Sequence, residues 1–218
     1  MKFLITAGAT REPIDAVRFL SNIGTGSTGA ALAGALAARG HGVVLLRGPG
    51  SAAPGAGAES EHFSSAEDLR GRLQRRLAAG DIDAVLMTAA VADYRPAEET
   101  PGKIGSEAGT LTLRLVRNPK ILPALKSFSP RPLAVAGFKL TVGADARARR
   151  AAVAAQFLAG GVDVVVHNDL EEIRQAPAHP FWIYRGAEEP PARVEGPAAL
   201  ALALEEALIH ANARRLDR

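Results

Sequence analysis

Phe3-Leu4-Ile5-Thr6-Ala7-Gly8, then Gly29-Ala30-Ala31-Leu32-Ala33-Gly34-Ala35-Leu36-Ala37-Ala38-Arg39-Gly40, then Val43-Val44-Leu45-Leu46: these three runs decide the fold class. A short apolar run that stops at glycine reads as a strand buried on both faces. An alanine- and leucine-rich run closed by glycine reads as a helix with its stop signal. The third run is a second buried strand. Working outward, the alternation continues. Leu69, Leu73 and Leu77 put one apolar stripe on a helix over 66–79. Ala84 to Met87 and Leu133 to Ala136 are strands, Ala144 to Ala159 is a helix ended by Gly160-Gly161, and Val162 to Val166 is another strand. A last helix covers about Pro197 to Ala211. This order predicts an α/β fold, a Rossmann-like, mostly parallel sheet flanked by helices.

Two stretches leave the alternation. Leu111 to Val116 alternates as a strand and follows a Pro-, Gly- and charge-rich loop from Arg95 to Gly109, long enough to be a lid or a dimerisation arm. Phe181 to Tyr184 with Ala192 to Val194 reads as a late hairpin. Ser51 to Ser60, rich in Ala, Gly, Pro and Ser, reads as a surface loop. With no repeat and no linker, residues 1–218 read as a single domain.

Composition narrows the function classes. The 218 residues are 47% hydrophobic and 22% charged, ordinary for a globular domain. The absence of cysteine excludes disulfides, thiolate metal sites and cysteine catalysis. No apolar run approaches a bilayer span, and the opening segment meets Gly8 too early for a signal peptide, so a cytoplasmic protein without membrane contact is expected. The net charge is +3, but the arginines are spread among acids and only Arg214 to Arg218 is dense, which reads as a basic tail rather than a nucleic-acid surface. The five histidines show no ligand spacing, so no protein-bound metal is expected.

Gly24-Thr25-Gly26-Ser27-Thr28-Gly29 has the spacing G-x-G-x-x-G. In a dinucleotide-binding fold that loop directly follows the first strand and an acidic residue ends the second. Here residues 9–23 intervene and the second strand ends at Leu46-Arg47, which leaves an NADP-binding oxidoreductase as an alternative. In either case the amides of Gly24, Gly26 and Gly29 open a helix and suit an anion.

Several ordered segments carry a resemblance. Thr6-Ala7-Gly8-Ala9-Thr10-Arg11-Glu12-Pro13-Ile14-Asp15, Val17-Arg18-Phe19-Leu20-Ser21-Asn22 with Thr25-Gly26 and Gly29, Ala89-Ala90-Val91-Ala92-Asp93-Tyr94, Lys103-Ile104, Asn118-Pro119-Lys120-Ile121-Leu122, Gly137-Phe138-Lys139 and Asn168-Asp169 together resemble the phosphopantothenoylcysteine synthetase family. The departures are Ser27 in the glycine loop, Gly105 and Ser106 after Lys103-Ile104, Lys120 after Asn118-Pro119, and Gln156 and Gly160 where relatives often carry lysines. A degenerate relative that binds nucleotide without ligase activity is therefore a further alternative.

The resemblance implies a ligase that joins 4'-phosphopantothenate to L-cysteine through an acyl-nucleotidyl intermediate, with CTP favoured over ATP and Mg2+ carried by the nucleotide. It implies catalytic roles for Asn22 and Lys103. It implies nucleotide contacts at Gly8, Met87, Ala90, Asp93, Lys103, Asn118, Pro119, Lys120, Ile121 and Phe138, and a homodimer. Many relatives are fused behind a flavin-dependent decarboxylase; this chain starts at the synthetase motif, so no flavin and no decarboxylase domain are expected.

Overall fold

The structure is a computed structural model that describes residues 1–107 and 109–216, with side chains of the last helix through residue 213. In chain order it contains β1 (Lys2–Ala7), β2 (Arg11–Pro13), β3 (Phe19–Ser21), α1 (Ser27–Ala38), β4 (Gly42–Arg47), β5 (Glu59–His62), α2 (Ala66–Ala78), β6 (Ala84–Met87), β7 (Tyr94–Pro96) and β8 (Leu115–Arg117). A 3-10 segment (Leu122–Phe128) leads into β9 (Ala134–Thr141), α3 (Ala146–Leu158), β10 (Val164–Asp169), α4 (Leu170–Gln175), β11 (Pro180–Tyr184), β12 (Ala192–Glu195) and α5 (Gly196–Leu216).

The main sheet has the order β12-β11-β10-β9-β6-β1-β4-β5. From β5 to β10 all pairings are parallel; β11 and β12 add on antiparallel as the late hairpin. The chain builds outward from β1 through β4 to β5, then returns to β6 and builds the other way. That reversal opens a crevice between β1 and β6 at their C-terminal ends, where ligands bind in open α/β sheets.

Period two in the strands sorts the core onto both faces. Phe3, Ile5, Val43, Leu45 and Leu86 pack under α1 and α5, which contribute Leu32, Leu36, Leu200, Leu204 and Leu208. Leu4, Val44, Leu46, Val85 and Val135 pack under α2 and the 3-10 segment through Leu69, Leu73, Leu77 and Leu125. Each fully buried leucine is worth roughly 1.5–3 kcal/mol.

Three expectations need correction. Residues 51–60 end in part of a strand: β5 pairs parallel with β4, with Val44 opposite Glu59. Most of its residues are exposed, as an edge strand's can be, so no apolar run announced it. The strand expected over Leu111 to Val116 shrinks to β8, and it pairs antiparallel with β7 of its own chain, Tyr94 opposite Arg117. The connection 9–23, for which the sequence suggested no element, contains a hairpin, β2 with β3. The last helix runs on to Leu216, so the backbone of the first three residues of the basic run is helical; Asp217 and Arg218 lie outside the described residues.

Candidate active site

The floor of the crevice is made where two sequence motifs meet. Ala9 bridges Ala90 in parallel, the Ala90 amide donates to the Gly8 carbonyl at 2.8 Å, and the Thr10 amide donates to the Ala90 carbonyl at 3.3 Å. Buried threonine hydroxyls lock the joint: Thr6 Oγ1 accepts from the Ala89 amide at 3.1 Å and Thr10 Oγ1 accepts from the Ala92 amide at 3.0 Å. Residues 88–93 thus leave β6 in a fixed path across the end of β1.

The glycine loop reaches the same place after a detour. The β2–β3 hairpin leaves β1 and returns, its strands braced by Arg11 lying 4.3 Å over the Phe19 ring. Glu12, buried in β2, accepts the Ala66 amide at 3.0 Å and so caps α2 beside the Ser65 cap. The chain then enters α1 through Gly26, whose φ is +72°. A Cβ there would stand 2.7 Å from the Gly8 nitrogen, and one on Gly29 would stand 2.7 Å from Ala7 Cβ. Gly26 gives α1 no side-chain cap; the Ser27 amide donates to Thr25 Oγ1 at 3.4 Å, and a helix start at this point suits an anion. Arg47, on which an NADP reading leaned, is engaged with His62 Nε2 at 3.1 Å and the Ser51 carbonyl at 3.4 Å.

Beside the crevice lies a cavity of about 360 Å3 at the ends of β6 and β9. Met87, Asp93, Asn118, Pro119, Lys120, Ile121 and Phe138 all line it, together with Gln156 on α3. Asn118 is committed to the wall itself. Its Nδ2 donates to the Ala92 carbonyl at 2.9 Å and its Oδ1 accepts from Arg95 Nη1 at 3.2 Å, so its side chain ties the two walls together. Lys120 Nζ meets Asp93 Oδ1 at 2.5 Å in an exposed pair at the mouth. Gln156 Oε1 is buried without a protein partner, an open acceptor in the wall. The sequence marked Gln156 only as a departure, at a position where relatives often carry lysine; that it lines this cavity was not legible.

The remaining candidates stand outside this cavity. Gly8, Ala90, Gly24, Gly26 and Gly29 form the crevice beside it. Asn22 is exposed at the exit of β3, and its Nδ2 donates to the Val91 carbonyl at 3.4 Å, which puts it at the seam between crevice and cavity. Lys103 is exposed on the arm after β7, and does not line the cavity.

The model of the DNA/pantothenate metabolism flavoprotein C-terminal domain matches residues 1–179. The chain belongs to this family. Among curated relatives it is similar to the coenzyme A biosynthesis bifunctional protein CoaBC of Escherichia coli, 32% identical over 194 residues that cover 84% of this chain and 46% of that protein. It is also similar to the CoaBC of Mycobacterium tuberculosis, 40% identical over 151 residues, 65% of this chain and 35% of that one. The chain thus spans less than half the length of these relatives. The DNA/pantothenate metabolism flavoprotein of Streptococcus pneumoniae shares the fold with a TM-score of 0.84 at 24% identity, covering 94% of this chain and 97% of that one. A mutant Cab2 in complex with phosphopantothenate-cysteine superimposes with a TM-score of 0.79 at 17% identity, covering 99% of this chain and 87% of that one.

Asn168-Asp169, at the end of β10, has a structural setting of its own. Asp169 Oδ atoms accept from Thr141 Oγ1 at 2.6 Å, the Glu171 amide at 2.9 Å, and the Gly143 and Ala144 amides at 3.0 Å each. Burial opposes its charge, yet these bonds hold its carboxyl well below the usual carboxylate range. Thr141 has one proton, given to Asp169, so its oxygen accepts from Nε2 of the buried His167 at 2.8 Å and leaves Nδ1 bare. Arg149, one of the early basic residues of α3, pairs with Glu172 and lies 4.9 Å over Trp182, so it serves this network. Among the described residues no cluster of His, Asp or Glu is arranged to hold a metal ion, and no helix is long and apolar enough to cross a membrane.

Proposed function

We propose that the chain is a phosphopantothenate–cysteine ligase domain acting in coenzyme A biosynthesis. One observation carries the reading: Asp93, Asn118 to Ile121 and Phe138, distant in sequence, line one cavity that adjoins a glycine-lined helix N-terminus. In this reading the nucleotide base occupies the cavity and acidic groups of the substrates lie toward the α1 amides. The 4'-phosphopantothenate carboxylate attacks the α-phosphate, and pyrophosphate leaves. The amine of L-cysteine then attacks the acyl carbon, and the nucleoside monophosphate leaves. The protein aligns the reactants and balances charge on phosphate. Lys103 supplies a compact positive charge for the triphosphate. The Asn22 carboxamide, able to donate and accept, holds the acyl oxygen or the incoming amine. CTP is the favoured nucleotide and ATP the other candidate; Mg2+ arrives with the nucleotide, and the reaction uses no flavin. A cytoplasmic location, with no nucleic-acid or membrane partner, and a homodimer belong to the same proposal.

The test is pyrophosphate release with 4'-phosphopantothenate and L-cysteine, run with CTP and ATP in turn. Release with CTP above ATP is expected. No release with either, despite nucleotide binding, overturns the ligase reading in favour of a binding-only relative.

A further inference from the structure

Asp15 stands on the turn between β2 and β3, outside the cavity wall, and the ligase reading gives it no part. Its side chain is closed to solvent, with 0% exposure, and its oxygens accept four hydrogen bonds. Oδ1 accepts the Val17 amide at 2.9 Å and the Arg18 amide at 2.7 Å, which shapes the turn itself. Oδ2 accepts Arg18 Nη1 at 2.7 Å and, from a segment 89 positions away, the Ile104 amide at 3.0 Å. Ile104 directly follows Lys103.

The other bonds around Lys103 run to the same turn. Arg18 Nη1 also donates to the Ile104 carbonyl at 3.1 Å. On the other side, the Gly102 carbonyl accepts the Ala16 amide at 2.9 Å, and the Thr100 amide donates to the Ile14 carbonyl at 3.0 Å. The backbone is therefore fastened before and after Lys103, in a stretch where Pro101, Gly102 and Gly105 give no regular structure of their own. Burial works against the Asp15 charge, but the Val17, Ile104 and Arg18 amides and the Arg18 guanidinium hold its carboxyl below the usual carboxylate range, so it is ionised at neutral pH.

We propose that Asp15 is a positioning residue for Lys103: its buried carboxylate pins the arm to the β2–β3 turn so that the ammonium meets phosphate from a fixed base. The proposal rests on the ligase reading, in which Lys103 acts on the triphosphate. It makes the arm a fastened bracket at 100–104 and leaves only the side chain of Lys103 to move.

A double-mutant cycle on the full chain tests it. Asp15→Asn keeps the size of the side chain but replaces one acceptor oxygen by a donor. Pyrophosphate release should fall about tenfold in turnover with the nucleotide KM little changed, whereas in a Lys103→Gln background the same substitution should cost less than about twofold. Equal losses in both backgrounds overturn the proposal, because a merely structural residue would weaken both alike. Should Asp15→Asn fail to fold, Ile104→Pro removes the donated N–H while leaving Asp15 and its turn in place, and the same non-additivity is expected. Amide exchange reads the clamp without reference to activity: Ile104 should be protected in the unaltered chain, and exchange at an unstructured rate there overturns the clamp. No pyrophosphate release by the unaltered chain, with Ile104 protected, overturns the role through failure of the ligase reading rather than of the clamp.

Discussion

At Gly26 the backbone sits in the left-handed region, and a Cβ would press on Gly8 and on Ser51 Cβ at 2.9 Å. Gly26→Ala combines a strained φ with a backbone clash, so it should lower stability by on the order of 1–3 kcal/mol and displace the start of α1. Urea unfolding measures the first effect; an unchanged midpoint would show that the loop yields at no cost. Lys103 poses the opposite case. It is exposed, so Lys103→Gln should leave the melting temperature within a degree or so of the parent while lowering turnover by well over tenfold, since a lost phosphate-balancing charge costs a few kcal/mol in the transition state. Near-normal turnover would remove Lys103 from the chemistry. The residue types at both positions were legible in the sequence. That Asn118 braces the wall, and that Lys120 meets Asp93, was not, because each depends on where two distant segments come to rest.

The elements divide by how much of their stability is local. β1, β4, β6 and α2 carry continuous or periodic apolar runs, and the sequence places them within a residue or two of where they lie. The three-residue strands β2, β3, β7 and β8 carry no such signal. They exist because tertiary neighbours hold them, as Glu12 does through the Ala66 amide and Arg95 through Asn118. At the other end of the sheet, β10 contains a titration switch in stability. Burial first, and then the Arg149 charge, lower the His167 pKa from 6.5 to about 4. Between those values the unfolded chain binds the proton and the folded chain does not, so stability rises with pH across that window. It should be fully present above about pH 6.5 and decline toward pH 4, by on the order of 3 kcal/mol at most from this group. His167→Gln, which can still donate to Thr141, should flatten the dependence of the urea midpoint between pH 6.5 and 4; an undiminished slope would assign the acid sensitivity elsewhere.

On the scale of the molecule, the two small hairpins lie side by side and turn apolar side chains outward. Val17 is 60% exposed, Phe19 47%, Tyr94 43% and Leu115 42%, and Leu111 and Leu113 on the arm are also open. β8 pairs within its own chain, and this surface is left for a two-fold contact. Sedimentation of the unaltered chain should give a dimer, and Phe19→Asp with Leu115→Asp should give a folded monomer; an active monomeric parent would end the idea. The sequence by itself determined the class of the sheet, because buried strands and amphipathic helices write their periods into the chain. It also marked the residues around the site, through the resemblance of several ordered motifs to a known family rather than through the spacing of any one of them. The tertiary structure alone decided that the glycine loop returns to β1 across a hairpin, that the cavity forms between β6 and β9, and that the arm is fastened at Asp15. Those depend on hydrogen bonds between segments tens of residues apart, and such pairings leave no local period to read.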